Sequence, residues 1–207
     1  AGAPRGGWDV PAVREALPAE SWPAGGYLRG QHLLSLPRDL ASGRYQFTLN
    51  GLPLGEISVT APDRQFTAPP LAVELNAAFT APAPVATLLG VSASPLPLCT
   101  PAPPLFCLPL VWRADGEPEA AYRVFVHLVD AASHIIAQSD AAPANWTRPT
   151  TGWLPGEVIL DTHTLTLPEP LPAGPLTLRV GLYDPDTNVR LASGAADFVT
   201  IPWPLAP

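Results

Sequence analysis

Residues Trp22–Leu49 read WPAGGYLRGQHLLSLPRDLASGRYQFTL, and residues Trp153–Val180 read WLPGEVILDTHTLTLPEPLPAGPLTLRV. At a constant spacing of 131 residues (22 to 153) and without a gap, Trp22 falls on Trp153, Gly25 on Gly156 and His32 on His163. Leu34, Leu36 and Pro37 fall on Leu165, Leu167 and Pro168, and Leu40 and Gly43 fall on Leu171 and Gly174. Eight identities that include Trp, His, Pro and Gly mark an internal repeat. The second copy shows what is repeated. Thr162, Thr164 and Thr166 alternate with His163, Leu165 and Leu167, the period of a half-buried strand. Pro168 ends that strand, and Pro172-Ala173-Gly174-Pro175 turns the chain. Leu176, Leu178, Val180 and Leu182 then alternate with Thr177, Arg179, Gly181 and Tyr183 in a returning strand. Each copy therefore predicts a strand, a Pro-Gly turn and a second strand.

Further strands follow outward from the second copy. Leu71–Phe79, Val85–Ala93, Phe106–Ala114, Tyr122–Val129, His134–Ser139 and Asp197–Ile201 are apolar or alternating runs bounded by turn residues. Tyr122–Val129 is apolar on both faces, which predicts a central strand, and Trp112 is expected in the core. Short strands with frequent turns predict an all-β chain built as an antiparallel β-sandwich, jelly-roll or immunoglobulin-like. The first copy lacks the long stretch of strands that precedes the second. Residues 1–66 are thus expected to be a partial repeat, opened by a short helix near Val10–Leu17, and residues 72–207 a complete sandwich. An incomplete sandwich leaves open edges and an apolar face, so residues 1–66 are expected to pack against the second domain or to self-associate with another copy of the chain.

Composition agrees and excludes several classes. The 207 residues are 47% hydrophobic and 14% charged, enough for a sizeable core. Twenty-nine prolines spread along the chain break long helices. Net charge is −7, and all 11 basic residues are Arg, scattered without a stripe, which argues against nucleic-acid binding. Leu75–Trp112 carries no charge, but its eight prolines argue against a membrane-spanning helix, so no direct membrane insertion is expected. No Met occurs, even at position 1, which reads as a fragment or processed product. Cys99 and Cys107 bracket CTPAPPLFC. A disulfide across this loop fits an oxidising compartment, and two reduced thiols in neighbouring strands are the alternative. Two thiols without a nearby His do not make a zinc site.

The run VWRADGEPEAAYRVFVHLVDAASHIIAQSDAAPANWTRPTTGWLPGEVILDTHTLTLPEPLPAGPLTLRVGLYDP resembles a β-sandwich module of bacterial membrane proteins of the dolichyl-phosphate-mannose mannosyltransferase type. The motifs VFVHLVD, AQSD, RPT-x-x-W-x-P-G-E and GLYDP carry the resemblance, which spans most of 72–207, with the tail of a preceding copy over about 22–66. It implies an extracytoplasmic location in the cell envelope, within a membrane-anchored bacterial protein, and assigns no catalytic residue. The transmembrane catalytic part is absent from this sequence, so transferase activity does not carry over.

Candidate chemistry is sparse. His163 keeps a counterpart in His32, while Asp161 is replaced by Gly30, which favours a structural role for the histidine. Glu157 and Asp161 stand on one strand about 13 Å apart, too far for a glycosidase pair. Asp184–Asn188 lacks the Gly and distal Glu of a calcium loop and reads as a plain turn. Trp146, Trp153 and Tyr183 are candidates for an aromatic platform under a sugar, with Asp140, Arg148 and Glu157 as hydroxyl partners. The alternative is that these tryptophans cap the core, and the match of Trp22 with Trp153 favours it for Trp153. The expected function is a non-catalytic accessory module that scaffolds or contacts a protein partner, without cofactor or metal. The alternative is a carbohydrate-binding module with a glycan partner.

Overall fold

The computed structural model describes residues 3–11, 18–93 and 104–205 and divides into two units, Ala1–Pro62 and Asp63–Pro207. The division falls four residues before the boundary expected near residue 66, because Arg64 and Gln65 are bonded into the second unit: Val158 N–H donates to the Gln65 carbonyl at 2.7 Å. The expected N-terminal helix falls mainly on residues 12–17, and Cys99 of the expected disulfide on 94–103; both lie outside the described residues.

In the first unit a 3-10 turn at Ala19–Ser21 leads through an irregular stretch into a hairpin of β1 (Gly43–Leu49) and β2 (Leu52–Val59). Asn50 and Gly51 close it with φ of 47° and 82°, the left-handed pair that a tight hairpin requires. Tyr45 faces Ile57 and Leu49 faces Leu52, so the hairpin carries one apolar face. Trp8 donates its indole N–H to the Ser35 carbonyl at 3.1 Å.

The second unit is a sandwich of two four-stranded antiparallel sheets. Its strands are β3 (Leu71–Ala81), β4 (Ala83–Ser92), β5 (Leu105–Ala114), β6 (Arg123–Val129), β7 (Ile135–Ala141), β8 (Val158–Thr166), β9 (Leu176–Tyr183) and β10 (Val199–Trp203). One sheet has the order β3-β4-β5-β8 and the other β10-β9-β6-β7. The expected strands are therefore present, with β6 interior as its two apolar faces require. Leu88, Leu108, Leu110 and Trp112 of the first sheet pack on Val124, Val126, Leu128, Leu178, Val180 and Leu182 of the second in one core. At about 25 cal/mol per Å² of apolar surface removed from water, such burial is the main stabilising term. No helix among the described residues is long and apolar enough to cross a membrane.

The two copies of the repeat agree at their front and diverge after it. Ser21 N–H donates to Pro18 O at 2.9 Å, and Gly152 N–H to Pro149 O at 2.9 Å. Gly26 N–H donates to Pro23 O at 3.2 Å, and Glu157 N–H to Leu154 O at 2.9 Å. Gly25 and Gly156 both take left-handed φ, 73° and 80°. Beyond this point, residues 158–166 form β8, whereas the matched residues 27–35 form no strand. This departs from the expectation of two equivalent hairpins. The reason is pairing: β8 is held along its whole length by β5, from Leu105↔Thr166 to Arg113↔Val158, and residues 27–35 have no such ladder. The second strands match again, since β1 corresponds to the start of β9.

Candidate functional site

Alternation on β6, β7 and β9 sorts side chains between the core and the outer face of their sheet. Val124, Val126 and Leu128 turn inward, which leaves Phe125 and His127 on the outer face. Phe125 stands opposite Asp140 on β7 and Gly181 on β9. A Cβ at Gly181 would lie 2.5 Å from the Phe125 ring, so glycine is needed for the ring to lie across β9. Arg190 caps the same ring, its guanidinium carbon 4.3 Å from the centroid, and Tyr183 sits 6.4 Å away, ring to ring. Together Phe125, His127, Asp140, Tyr183, Asn188 and Arg190 line a shallow pocket of about 290 Å³. His127 Nε2 lies 3.9 Å from Asp140 Oδ2. The pocket offers a carboxylate, an amide, a guanidinium, an imidazole and a phenol around an aromatic floor.

Two of the six residues expected at a ligand platform, Asp140 and Tyr183, thus meet in one pocket. Trp146 is exposed and stacks against the Arg123 guanidinium at 5.0 Å; Arg123 is the cross-strand partner of Tyr183. The other three belong to a different structure. Trp153 is fully buried, with its indole N–H donated to the Arg148 carbonyl at 2.9 Å. Glu157 is fully buried as well, and neither residue presents a surface to a ligand. The Glu157 carboxylate accepts from Arg64 Nη1 at 2.5 Å, from the Leu154 N–H at 3.0 Å and from Arg148 Nη2. Arg64 also donates to the Gly152 carbonyl at 3.1 Å. Glu157 is therefore the anion of a closed Arg-Glu-Arg cluster that ties residues 63–65 and 148–154 to the start of β8.

A second buried network sits between β7 and β8, the edge strands of different sheets. Asp161 and His163 both turn inward from β8, as i and i+2 on a strand must. His163 Nε2 lies 3.0 Å from Asp161 Oδ2, and Nδ1 lies 3.0 Å from Ser139 Oγ. A carboxylate only accepts, so Nε2 donates to Asp161, while Nδ1 meets the Ser139 hydroxyl. Asp161 also accepts from Trp112 Nε1 at 3.3 Å and from the Ala144 N–H at 2.8 Å. The row Ser139–His163–Asp161 has the order of an acyl-transfer triad. Yet the side chains of His163 and Asp161 are about 1% exposed, and Ser139 turns into the sandwich. The row bridges two sheets at an edge where no main-chain ladder joins them.

The acidic turns are closed by hydrogen bonds to their own backbone. In Asp184–Asn188, Asp184 Oδ1 accepts the Asp186 N–H at 2.9 Å, and this bond, with the Thr187 hydroxyl, holds the Asp184 carboxyl below its ordinary range. Asp130 is likewise held low, first by the His134 backbone N–H. The Tyr122 phenol is pushed up by burial and then by Asp184. Among the described residues no group of three or more His, Cys, Asp or Glu could hold a metal ion. Comparison with protein-family models, curated proteins and solved structures finds no match for the chain.

Proposed function

We propose that the chain is a non-catalytic accessory module of the cell envelope, a scaffold or protein-contact element within a larger membrane-anchored protein. The observation that supports this reading is the use made of the buried ionisable groups. Glu157 is taken up by Arg64 and Arg148, and Asp161 by His163, Trp112 and Ala144. These groups bind one part of the sandwich to another. The resemblance to mannosyltransferase-type membrane proteins belongs to this reading, as does a Cys99–Cys107 disulfide formed outside the cytoplasm. Intact mass before and after reduction and alkylation tests the disulfide: two thiols alkylated without reduction count against it. Assay of the purified chain against ester and glycoside substrates tests the non-catalytic role. Turnover lost in both Ser139→Ala and His163→Ala would overturn it.

A second reading, carbohydrate binding, is favoured by the outer-face pocket. Sugar hydroxyls pair with carboxylate, amide and guanidinium groups, and sugar C–H faces rest on aromatic rings. Asp140, Asn188, Arg190 and Tyr183 supply that combination. A glycan array probed with the intact chain and with Asp140→Ala and Tyr183→Ala decides. Binding that both substitutions abolish supports the reading, and no binding at millimolar sugar removes it.

A further inference from the structure

In the second copy of the repeat, β9 lies between β10 and β6, and its Leu176, Leu178 and Val180 are buried in the core. In the first copy β1 holds the matching positions with Tyr45, Phe47 and Leu49. β2 stands beside β1 as β10 stands beside β9. Among the described residues no strand occupies the other edge of β1, where β6 would be. The consequences are visible side chain by side chain. Leu49 is 59% exposed where Val180 is 0%, and Trp22 is 38% exposed where Trp153 is 0%. Leu52 and Ile57, across the hairpin from Leu49 and Tyr45, are exposed too. Tyr27 and Leu33, in the segment that matches β8, are fully exposed.

We infer that residues 18–59 are a docking surface for the β3–β7 portion of a sandwich of the same kind, with a β6-type strand seated on the free edge of β1. The repeat specifies the occupant. Val126 pairs with Val180 and Leu128 with Leu178, so the docked strand sets an apolar residue opposite Leu49 and another opposite Phe47, antiparallel to β1. Its alternate side chains cover the hairpin face, and a β5-type strand pairs with residues 27–35. Main-chain bonds along an open edge supply affinity, and the alternating side chains supply register.

The test uses the repeat's own spacing. Residues 63–148 of this chain are fused directly ahead of residues 18–207, so that Arg148 meets Pro18 as it naturally meets Pro149. The readout is amide hydrogen exchange in residues 27–35 and 45–49. The expected result is exchange slowed at least about tenfold relative to the unmodified chain, and restored by Phe47→Asp with Leu49→Asp. A synthetic peptide Tyr122–Asp130 added to the unmodified chain gives an independent reading at 45–49, expected to slow exchange there and to lose its effect in Leu49→Asp. Unchanged exchange with both probes overturns the inference. Slowing in the unmodified chain that grows with its own concentration also overturns it, because the occupant is then a second copy.

Discussion

Residues 22–49 and 153–180 share eight identities and yet differ in how much of them is sheet. Their fronts, each a 3-10 turn, a tryptophan and a left-handed glycine, share two matched backbone hydrogen bonds, each of which closes within three residues. The following strand is another matter. β8 exists because β5 supplies a partner for each of its residues, and the same sequence framework at 27–35 remains irregular where no ladder is offered. A turn is written in its own residues, whereas a strand is written jointly with its neighbours.

The largest test of that contrast is the tryptophan pair. Trp153→Ala should cost about 4 kcal/mol, the usual toll for emptying a large aromatic site in a packed core. Trp22→Ala should change the unfolding of the sandwich by no more than about 0.5 kcal/mol. Urea unfolding followed by tyrosine and far-ultraviolet signals measures both, and equal losses would break the comparison.

Next comes a position where the second copy buries a charge that the first copy lacks. Glu157 stands where the first copy has Gly26. Glu157→Gln leaves two arginines sharing one neutral amide in a site where the carboxylate was fully buried. Breaking such a cluster costs on the order of 3 kcal/mol. Removing the arginine as well, in Arg148→Met with Glu157→Gln, should recover part of the loss. A double mutant no more stable than Glu157→Gln would mean the cluster is not coupled as the geometry has it.

A smaller effect sharpens the shared part of the comparison. Gly25→Ala and Gly156→Ala each place a Cβ on a residue at positive φ, with open space around it. The cost is conformational, about 1 kcal/mol at either site. It should appear as faster exchange of the Gly26 and Glu157 amides that close the two turns. An effect at one site only would show that the matching dihedrals do not carry matching strain.

Much of the fold was legible before any coordinates. The strands around the alternating runs at 158–167 and 176–183 are where the period placed them, and the apolar run at 122–129 is interior. The Asn50-Gly51 dipeptide, among the strongest local hairpin signals when it lies between alternating runs, closes β1 on β2 where the repeat alone points to no such turn. Asp161 and His163 were also readable as neighbours, since two residues apart on a strand means one face. Their third member, Ser139, was not, and neither was Arg64, which reaches Glu157 across 93 residues. Periodicity says which way a side chain points and is silent about which strand it meets. For the same reason nearness in sequence groups Asp140 and Tyr183 with Trp153 and Glu157, while the fold sets the first two in an outer-face pocket and buries the other two ahead of β8.

The smallest expected effect concerns acid, and it belongs to the second copy alone. β9 leaves through Asp184–Asn188 before returning as β10, whereas β1 turns at Asn50-Gly51 and carries no such acid. Hydrogen bonds from Asp186 and Thr187 favour the ionised form of Asp184, so its folded pKa lies below the ordinary 3.8. For a depressed carboxyl, the stabilising contribution is complete above the unfolded value and is lost as pH falls through the folded one. The Asp186 amide, bonded to Asp184 at 2.9 Å, reports the event directly. Its nuclear magnetic resonance shift should titrate with a midpoint below 3.8, and Asp184→Asn should flatten the curve while keeping the turn, since the amide oxygen still accepts. The β1–β2 hairpin should show no matching transition at its turn. A midpoint at or above the ordinary carboxyl value would mean that the turn's N–H groups do not favour the charge, and the acid response would then have to arise elsewhere in the sandwich.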